Sequence, residues 1–317
     1  MSPRQRDVTD LVSRAIAGET RSIARLISLV ESESGQLREV SELLTGHLGK
    51  AHTIGLTGSP GVGKSTTTSA LVTELRARGK TVAVLAVDPS SPFSGGALLG
   101  DRIRMQEHTT DPNVYIRSMA SRGHLGGLSW ATPHAVHVLD AAGFDVILIE
   151  TVGVGQSEIE ISELADTSLV ILAPGMGDGI QAAKAGILEI GDVFCVNKSD
   201  RDGAETTRRQ LRNGLSMTAR ADNWKPPIEM TVATDGLGID KIADRIDEHY
   251  AHLLESGGLQ SRRVARAARE IQAIAIAEIM RGIDVSASTL MESLAKKVTS
   301  GQLDPFAAAD AVLDHVR

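Results

Sequence analysis

The stretch TIGLTGSPGVGKSTT, residues 53–67, decides the fold of this chain. It opens with a short apolar run, after which Gly58, Gly63, Lys64 and Ser65 match the phosphate-loop pattern G-x-x-x-x-G-K-S/T. The glycines let backbone N–H groups turn toward phosphate oxygens, and the helix that follows adds the positive end of its dipole. Because the pattern lies between a predicted strand and a predicted helix, it indicates a nucleotide-binding loop rather than a chance glycine-rich turn.

The residues of this loop have distinct predicted roles. Lys64 would neutralise charge on the β- and γ-phosphates and so assist catalysis. The Ser65 hydroxyl would ligate Mg²⁺, a hard cation that prefers oxygen ligands. The remaining loop residues would hold the phosphates, and they are Gly58, Ser59, Pro60, Gly61, Val62, Gly63 and Thr66.

Continuous apolar runs alternate with helical stretches from His52 onward, which is typical of a parallel sheet covered on both faces. The predicted strands are HTIGLTG, TVAVLAVD, NVYIRSM, DVILIET, SLVILA, DVFCVN and PIEMTVA. Right-handed crossovers between them predict an α/β fold with a doubly wound, mostly parallel sheet of the P-loop NTPase type. The site is then expected at the C-terminal ends of the strands.

Helical sequence flanks this domain on both sides. Residues 1–50 carry apolar residues at spacings of three and four, which predicts an N-terminal helical extension. The nucleotide domain is predicted over 51–257, and a polar break, GGLQS, then precedes a long Ala/Ile-rich helix. Residues 258–317 are predicted to be a C-terminal helical dimerisation arm, because the apolar residues of that helix cover more than one narrow stripe. The alternative is an arm that folds back on its own domain with the N-terminal helices.

A second motif predicts which base is bound. FCVNKSD, residues 194–200, ends a strand with Asn197, Lys198 and Asp200 in an N-K-x-D pattern. One carboxylate can accept both the N1–H and N2–H₂ donors of guanine, and adenine offers no such pair, so Asp200 would select GTP over ATP. Lys198 would lie along the ring and Asn197 would brace the loop. The guanine carbonyl would receive backbone N–H from the residues one strand later, Thr231, Val232 and Ala233.

Three acids are candidate metal and switch residues. Asp88 closes TVAVLAVD, Asp101 follows in GDRIRM, and Glu150 closes DVILIET. Mg²⁺ needs only one or two carboxylates beside phosphate oxygens, and the strands of Asp88 and Glu150 are expected beside the phosphate-loop strand. Asp101 has a second interpretation as a helix cap. The predicted metal set is Ser65, Asp88, Asp101 and Glu150, and the predicted catalytic set is Lys64, Glu150 and Asp101.

The residues after Glu150 predict slow hydrolysis. A small GTPase would usually follow the switch glycine with a glutamine that orients water, whereas here Val154 follows Gly153 and Gln156 comes two residues later. Slow turnover suits a GTPase whose hydrolysis rate is set by a partner protein, as in GTPases that receive a catalytic group from another protein.

Composition excludes several classes. The chain has 33 Lys and Arg against 40 Asp and Glu, a net charge of −7, which argues against a general nucleic-acid or membrane-surface binder. No apolar stretch approaches the roughly 18–20 residues that span a bilayer, and MSPRQRDVTD lacks a signal-peptide core, so a cytoplasmic location is expected. A lone cysteine, Cys195, excludes a disulfide framework and a Cys-rich metal site.

The motifs GSPGVGKST, AVDPSS, LGDRIRM, ETVGVGQSE, APGMGDGIQ and NKSD together resemble the methylmalonyl-CoA mutase-associated GTPases (MeaB/ArgK-like) of the SIMIBI class, over nearly the whole chain. The resemblance implies GTP/GDP and Mg²⁺ as ligands and a homodimer that binds the coenzyme B12-dependent mutase. It also implies a GTP-driven chaperone that gates loading of adenosylcobalamin and protects the mutase, with residues 177–184 as an additional switch. One departure is Val232-Ala233, where the resemblance leads us to expect Ser-Ala; backbone donation would survive it.

Three other functions remain open at this point. A P-loop ATPase or kinase linked to arginine/ornithine transport would use the same phosphate loop but has no use for N-K-x-D. A nickel-delivery GTPase would call for a Cys- or His-rich segment, which this chain lacks. A nucleotide-gated binding module would bind GTP and hardly hydrolyse it.

Overall fold

The computed structural model describes residues 3–32, 35–88, 105–120, 130–151, 157–175, 186–218, 222–286 and 288–316. Several predicted site residues fall outside this described part. They are Asp101, the stretch 153–156 with Gln156, the proposed switch 177–184 and the side chain of Asp88.

One parallel sheet organises the described residues. Its seven strands are β1 His52–Thr57, β2 Val82–Asp88, β3 Val114–Ala120, β4 Val146–Thr151, β5 Thr167–Leu172, β6 Val193–Val196 and β7 Ile228–Met230. They lie in the order β3-β2-β4-β1-β5-β6-β7, and every pairing is parallel. The doubly wound parallel sheet and its seven predicted strands are therefore confirmed.

The strand order reverses around β1, because the chain runs outward to β2 and β3 on one side and to β5, β6 and β7 on the other. Such a reversal opens a crevice at the carboxyl ends of the strands. Glu150 lies there, on β4, with Leu56 of β1 as its register partner. The expectation that the strand of Asp88 also lies beside β1 is wrong. The crossover after β1 skips one position, which β4 later fills, so β2 pairs with β4 instead.

Helices cover the sheet and extend from it. They are α1 Pro3–Ile16, α2 Thr20–Glu31, α3 Leu37–Leu44, α4 Lys64–Ala77, α5 Ala131–Ala141, α6 Ser157–Leu164, α7 Ile187–Ile190, α8 Ala204–Met217, α9 Ile239–Ser256, α10 Gly258–Ser286, α11 Ser288–Thr299 and α12 Pro305–Val316. Between α9 and α10 only Gly257 intervenes, where the sequence predicts a five-residue break. Its left-handed φ of 72° lets the chain turn within one residue.

The inner strands β1, β4, β5 and β6 are buried along their whole length, because their side chains alternate in direction and meet a helical cover on each face of the sheet. On one face Ile147 and Ile149 of β4 share a core with α5 and the N-terminal helices α1 to α3. On the other face Val146 and Leu148 pack with α4 and α9. The continuous apolar run of β4 is explained by this double cover.

The chain divides into two compact units, residues 1–262 and 263–317. The first contains the sheet and the N-terminal helices. The second contains most of α10 with α11 and α12, around a small core of Leu294 and Val312. The three-part division into 1–50, 51–257 and 258–317 stays a prediction. Among the described helices, none has the length and hydropathy required to cross a bilayer.

Candidate nucleotide-binding site

A glycine loop joins β1 to α4 at the centre of the sheet. Gly58, Gly61 and Gly63 have φ values of 147°, 80° and 97°. A Cβ atom on Gly58 would lie 2.2 Å from the carbonyl oxygen of Ile171, and one on Gly63 would lie 2.4 Å from Nδ2 of Asn197. Glycine is required at both positions because no other residue avoids these contacts in this backbone conformation. The strand–loop–helix context of the phosphate-loop motif is confirmed.

Lys64, the first residue of α4, turns its ammonium group back into the loop. Nζ donates to the carbonyl oxygens of Gly58, at 2.7 Å, and Ser59, at 3.1 Å. The side chain is buried, so its charge depends on these oxygens for solvation. Phosphate oxygens placed in the loop would compete with them for the same ammonium group.

Glu150 reaches α4 from the end of β4. Its Oε1 accepts a hydrogen bond from Ser65 Oγ at 2.6 Å, and its Oε2 accepts one from Thr68 Oγ1 at 2.9 Å. The carboxylate is only 4% exposed. A hydroxyl and a carboxylate side by side at a helix N-terminus are hard oxygen donors, so this pair fits Mg²⁺. Ser65 and Glu150 are the two predicted metal residues whose described side chains meet.

Thr68 was not predicted from the sequence, although a signal for it exists. It follows Ser65 by three positions, and side chains three apart on a helix share a face. Any hydroxyl-bearing residue there would meet the same acid as Ser65. The hydroxyl of Thr68 is fully buried and also lies 3.0 Å from the carbonyl oxygen of Lys64.

Asn197 joins the guanine motif to the phosphate loop. Its Nδ2 donates to the carbonyl oxygen of Val62 at 2.9 Å, across 135 positions of sequence. Its Oδ1 accepts from the Thr231 hydroxyl and from the backbone N–H of Ala233, both at 3.1 Å. These contacts are compatible with the predicted bracing role of Asn197, because its one amide contacts both the phosphate loop and the 231–233 segment.

The N–H groups of residues 231–233 are engaged within the protein, which differs from the expectation that they serve the guanine carbonyl. Those of Thr231 and Val232 donate to the carbonyl oxygens of Val196 and Leu237, and that of Ala233 donates to Asn197. The bonds of Thr231 and Ala233 hold the segment against the end of β6, and the bond of Val232 closes a turn with Leu237. A pattern of residue types cannot show which backbone N–H groups already donate hydrogen bonds within the protein.

Lys198 and Asp200 lie on the turn after β6. Lys198 adopts a positive φ of 56° and donates from Nζ to the carbonyl oxygen of Gly61 at 2.7 Å, so its side chain extends toward the phosphate loop. Asp200 is exposed. Both parts of the motif are thus on the side of the sheet that carries the phosphate loop.

A cavity of about 540 Å³ lies between α4 and the segment that follows β7. Thr66 and Ala70 line it from α4, and Ala233, Thr234 and Ile239 line it from the other side. Residues of the phosphate motif and of the segment that follows β7 therefore share one cavity.

Cys195 lies behind this segment and is fully buried. Its Sγ is 3.1 Å from the Thr231 hydroxyl, which itself donates to Asn197. Burial raises the pKa of the Cys195 thiol to about 12. The thiol is therefore neutral at physiological pH and serves as a packing group in the core of the sheet.

Taken with the sheet, these contacts define a class of protein. A phosphate loop at the strand-order reversal, in contact with an N-K-x-D turn, is the arrangement of a P-loop GTPase. The chain belongs to the methylmalonyl Co-A mutase-associated GTPase MeaB family, whose model matches residues 23–287. The family resemblance noted in the sequence is confirmed.

Relatives are similar over the whole chain. A protein of Pyrococcus horikoshii whose name describes a GTPase is 46% identical over 312 residues, covering 98% of both chains. The mouse protein named methylmalonic aciduria type A homolog, mitochondrial, is 35% identical over 332 residues, covering 98% of this chain and 79% of the mouse protein. Among solved structures, one described as an LAO/AO transport system kinase is 25% identical with a TM-score of 0.72, covering 99% of this chain and 98% of that one.

Proposed function

We propose that this chain is a GTP-driven chaperone of a coenzyme B12-dependent methylmalonyl-CoA mutase, which gates loading of adenosylcobalamin and protects the mutase from inactivation. The observation that carries the nucleotide part is the contact of Asn197 and Lys198 with the phosphate loop. The mutase part rests on the family match and on the mouse relative, whose name refers to methylmalonic aciduria. The protein would act in the cytoplasm, without binding nucleic acid or a membrane.

Base selection is assigned to Asp200. Its exposed carboxylate would accept the two donors of guanine, while Lys198 would leave Gly61 to lie along the ring. Because the N–H groups of Thr231, Val232 and Ala233 have partners, we assign the guanine carbonyl to the backbone N–H of Thr234, which lines the same cavity as Thr66.

Hydrolysis would use the residues around the N-terminus of α4. Lys64 would exchange the carbonyl oxygens of Gly58 and Ser59 for phosphate oxygens and stabilise charge on the transferred group. Ser65 and Glu150 would hold Mg²⁺, which neutralises phosphate charge when bound. Asp88 and Asp101 would complete the acidic set. Turnover would be slow without the partner, since valine follows the switch glycine.

The apolar surface of the C-terminal unit supports a homodimer. Five apolar side chains of the same helix, α10, are each more than half exposed, and several exposed apolar side chains on one helix suit an interaction surface. A second copy of the chain is the simplest cover for such a surface, because most homo-oligomers are twofold dimers. The five are Val264, Ile271, Ile276, Ile279 and Met280.

A transport-linked kinase is the second candidate, because the solved structure with a TM-score of 0.72 is described as a transport system kinase. Small-molecule phosphoryl transfer needs a phosphate loop but has no physical requirement for guanine selection. Base preference and partner binding therefore separate the two functions.

The test combines both properties. We expect the purified chain to bind GTP at least about 100-fold more tightly than ATP, because a site built for paired donors rejects a base that lacks them. Asp200→Asn should abolish this preference, since an amide presents a donor to a donor. Mixing with a methylmalonyl-CoA mutase should give a complex on size-exclusion chromatography and faster hydrolysis. Equal GTP and ATP affinity, or no complex in any nucleotide state, would contradict the proposal.

A further inference from the structure

We propose that Thr68 is a positioning residue for the magnesium site, which sets the orientation of the Glu150 carboxylate and thereby the affinity for Mg²⁺. This inference rests on the proposed GTPase function, because it concerns the same site. It adds a residue that lies outside the phosphate-loop pattern G-x-x-x-x-G-K-S/T.

The geometry is a carboxylate held at both oxygens by one helix. Ser65 donates to Oε1 and Thr68 donates to Oε2, and the two hydroxyls lie one turn apart on α4. A carboxylate held at one oxygen can rotate about its terminal bond, whereas one held at both oxygens keeps its plane. Thr68 therefore fixes the direction in which Glu150 faces Ser65.

The environment makes this hydrogen bond consequential. Thr68 is fully buried and Glu150 is nearly so, so bulk water does not take the place of the hydroxyl. The Thr68 proton has two acceptors within reach, the carboxylate and the carbonyl oxygen of Lys64. A charged acceptor binds the proton more strongly than a neutral one.

The neighbouring residue supplies a matched control. Thr67 is also fully buried on α4, and its hydroxyl donates to the carbonyl oxygen of Gly63 at 3.0 Å. It has the helix-carbonyl bond that Thr68 has, and among the described residues its hydroxyl donates to no carboxylate. Comparing Thr67→Val with Thr68→Val thus isolates the bond to Glu150.

The experiment measures Mg²⁺ affinity in the full-length chain. Three variants are compared with the unmodified chain: Thr68→Val, Thr68→Ser and Thr67→Val. Two quantities are measured for each. One is the Mg²⁺ concentration that gives half-maximal GTP hydrolysis, and the other is the Mg²⁺ concentration that gives half of the maximal slowing of fluorescent GDP release. GDP affinity in EDTA is measured alongside. We expect Thr68→Val to raise both Mg²⁺ concentrations roughly tenfold or more, the factor that corresponds to one hydrogen bond to a charged group. Thr68→Ser and Thr67→Val should stay within about threefold of the unmodified chain, and GDP affinity in EDTA should be unchanged in all.

Several outcomes would overturn the inference. Unchanged Mg²⁺ dependence in Thr68→Val would do so, and so would an equal loss of GDP affinity with and without Mg²⁺, which would indicate a general packing role. If Thr68→Val does not fold, Thr68→Ala removes the same donor without added bulk and carries the same expectations. An unmodified chain that fails to bind GTP would instead overturn the proposed function, and this inference with it.

Discussion

Asn197 shows how one side chain can join two sites that lie far apart in sequence. Its amide donates to Val62 in the phosphate loop and accepts from Thr231 and Ala233 beside β7. Behind it the Cys195 thiol contacts the same Thr231 hydroxyl. Because that hydroxyl donates to Asn197, the thiol is left as the donor to Thr231. A buried row of three polar groups, Cys195, Thr231 and Asn197, therefore supports the N-K-x-D turn from inside the sheet.

The buried thiol leads to a prediction about reactivity. With a pKa near 12, only about one Cys195 in ten thousand is a thiolate at pH 8. We expect no measurable reaction of the native chain with a disulfide reagent such as Ellman's reagent, and one equivalent of reaction after unfolding in guanidinium chloride. Stoichiometric labelling of the native protein within minutes would show that Cys195 is accessible to solvent. It would then contradict the buried contact between its thiol and the Thr231 hydroxyl.

At the scale of elements, the first turn of α10 is fastened to the sheet. Arg262 donates to both carboxylate oxygens of Asp192, at 2.8 and 2.9 Å, and to the carbonyl oxygen of Asp166 at 2.9 Å. Asp192 is almost fully buried at the start of β6 and also accepts the backbone N–H of Ser168. A bidentate guanidinium contact with a buried carboxylate is one of the stronger ionic interactions in proteins.

We expect Arg262→Ala to lower the free energy of unfolding by about 2 kcal/mol. Breaking a buried ion pair costs roughly 3–5 kcal/mol, and the partial exposure of Arg262 reduces that figure. Denaturant unfolding monitored by tryptophan fluorescence measures this loss, and one of the two tryptophans, Trp224, has its ring centroid 4.9 Å from that of His249. The control is Arg281→Ala, which removes an exposed pair with Glu278 and should change stability by less than about 0.5 kcal/mol.

The same pair has a defined pH dependence. Burial opposes ionisation of Asp192, but the hydrogen bond from Arg262 and the charges of His249 and Arg262 outweigh it, so its pKa lies below the ordinary 3.8. A lowered carboxyl pKa contributes stability that is complete above pH 3.8 and is lost as pH falls through the lowered value. The contribution of Asp192 to the difference in unfolding free energy between the unmodified chain and Arg262→Ala should therefore be complete above pH 3.8 and shrink below it. A difference that grows in acid would contradict this assignment.

At the scale of the whole molecule, the boundary between the two compact units lies after Arg262, and it is the best place to truncate the C-terminal arm. Truncation after Gly257, the last residue of the predicted nucleotide domain, would also remove Arg262 and leave Asp192 without its guanidinium partner. A chain ending at Arg262 keeps that contact and the complete sheet.

We expect the chain 1–262 to bind GDP with the affinity of the full-length protein and to be a monomer, and we expect the full-length protein to be a dimer. The physical reason is that the truncation removes the exposed aliphatic side chains of α10. Size-exclusion chromatography with light scattering, together with titration of a fluorescent GDP, measures both properties. A dimer of 1–262 would place the interface elsewhere on the first unit.

The sequence by itself determined the class of this protein and the greater part of its fold. The phosphate loop could be predicted from a short pattern, Gly58, Gly63, Lys64 and Ser65. Its backbone conformations require glycine at fixed positions within a few consecutive residues. Most of the strands could be predicted because burial on both faces demands continuous apolar runs, whereas the edge strands β3 and β7 are only partly buried. Local conformation and burial are encoded within a few consecutive residues.

Only the tertiary structure decided which distant groups meet. It placed β4 between β1 and β2, so that Glu150 and not Asp88 lies on the strand beside the phosphate-loop strand. It also used the N–H of Ala233 for Asn197 and brought Thr68 to Glu150 across 82 positions. Strand order depends on the crossovers, and hydrogen-bond partners depend on how the strands and helices pack. Strand order and hydrogen-bond partners therefore cannot be predicted from the spacing of residues along one segment.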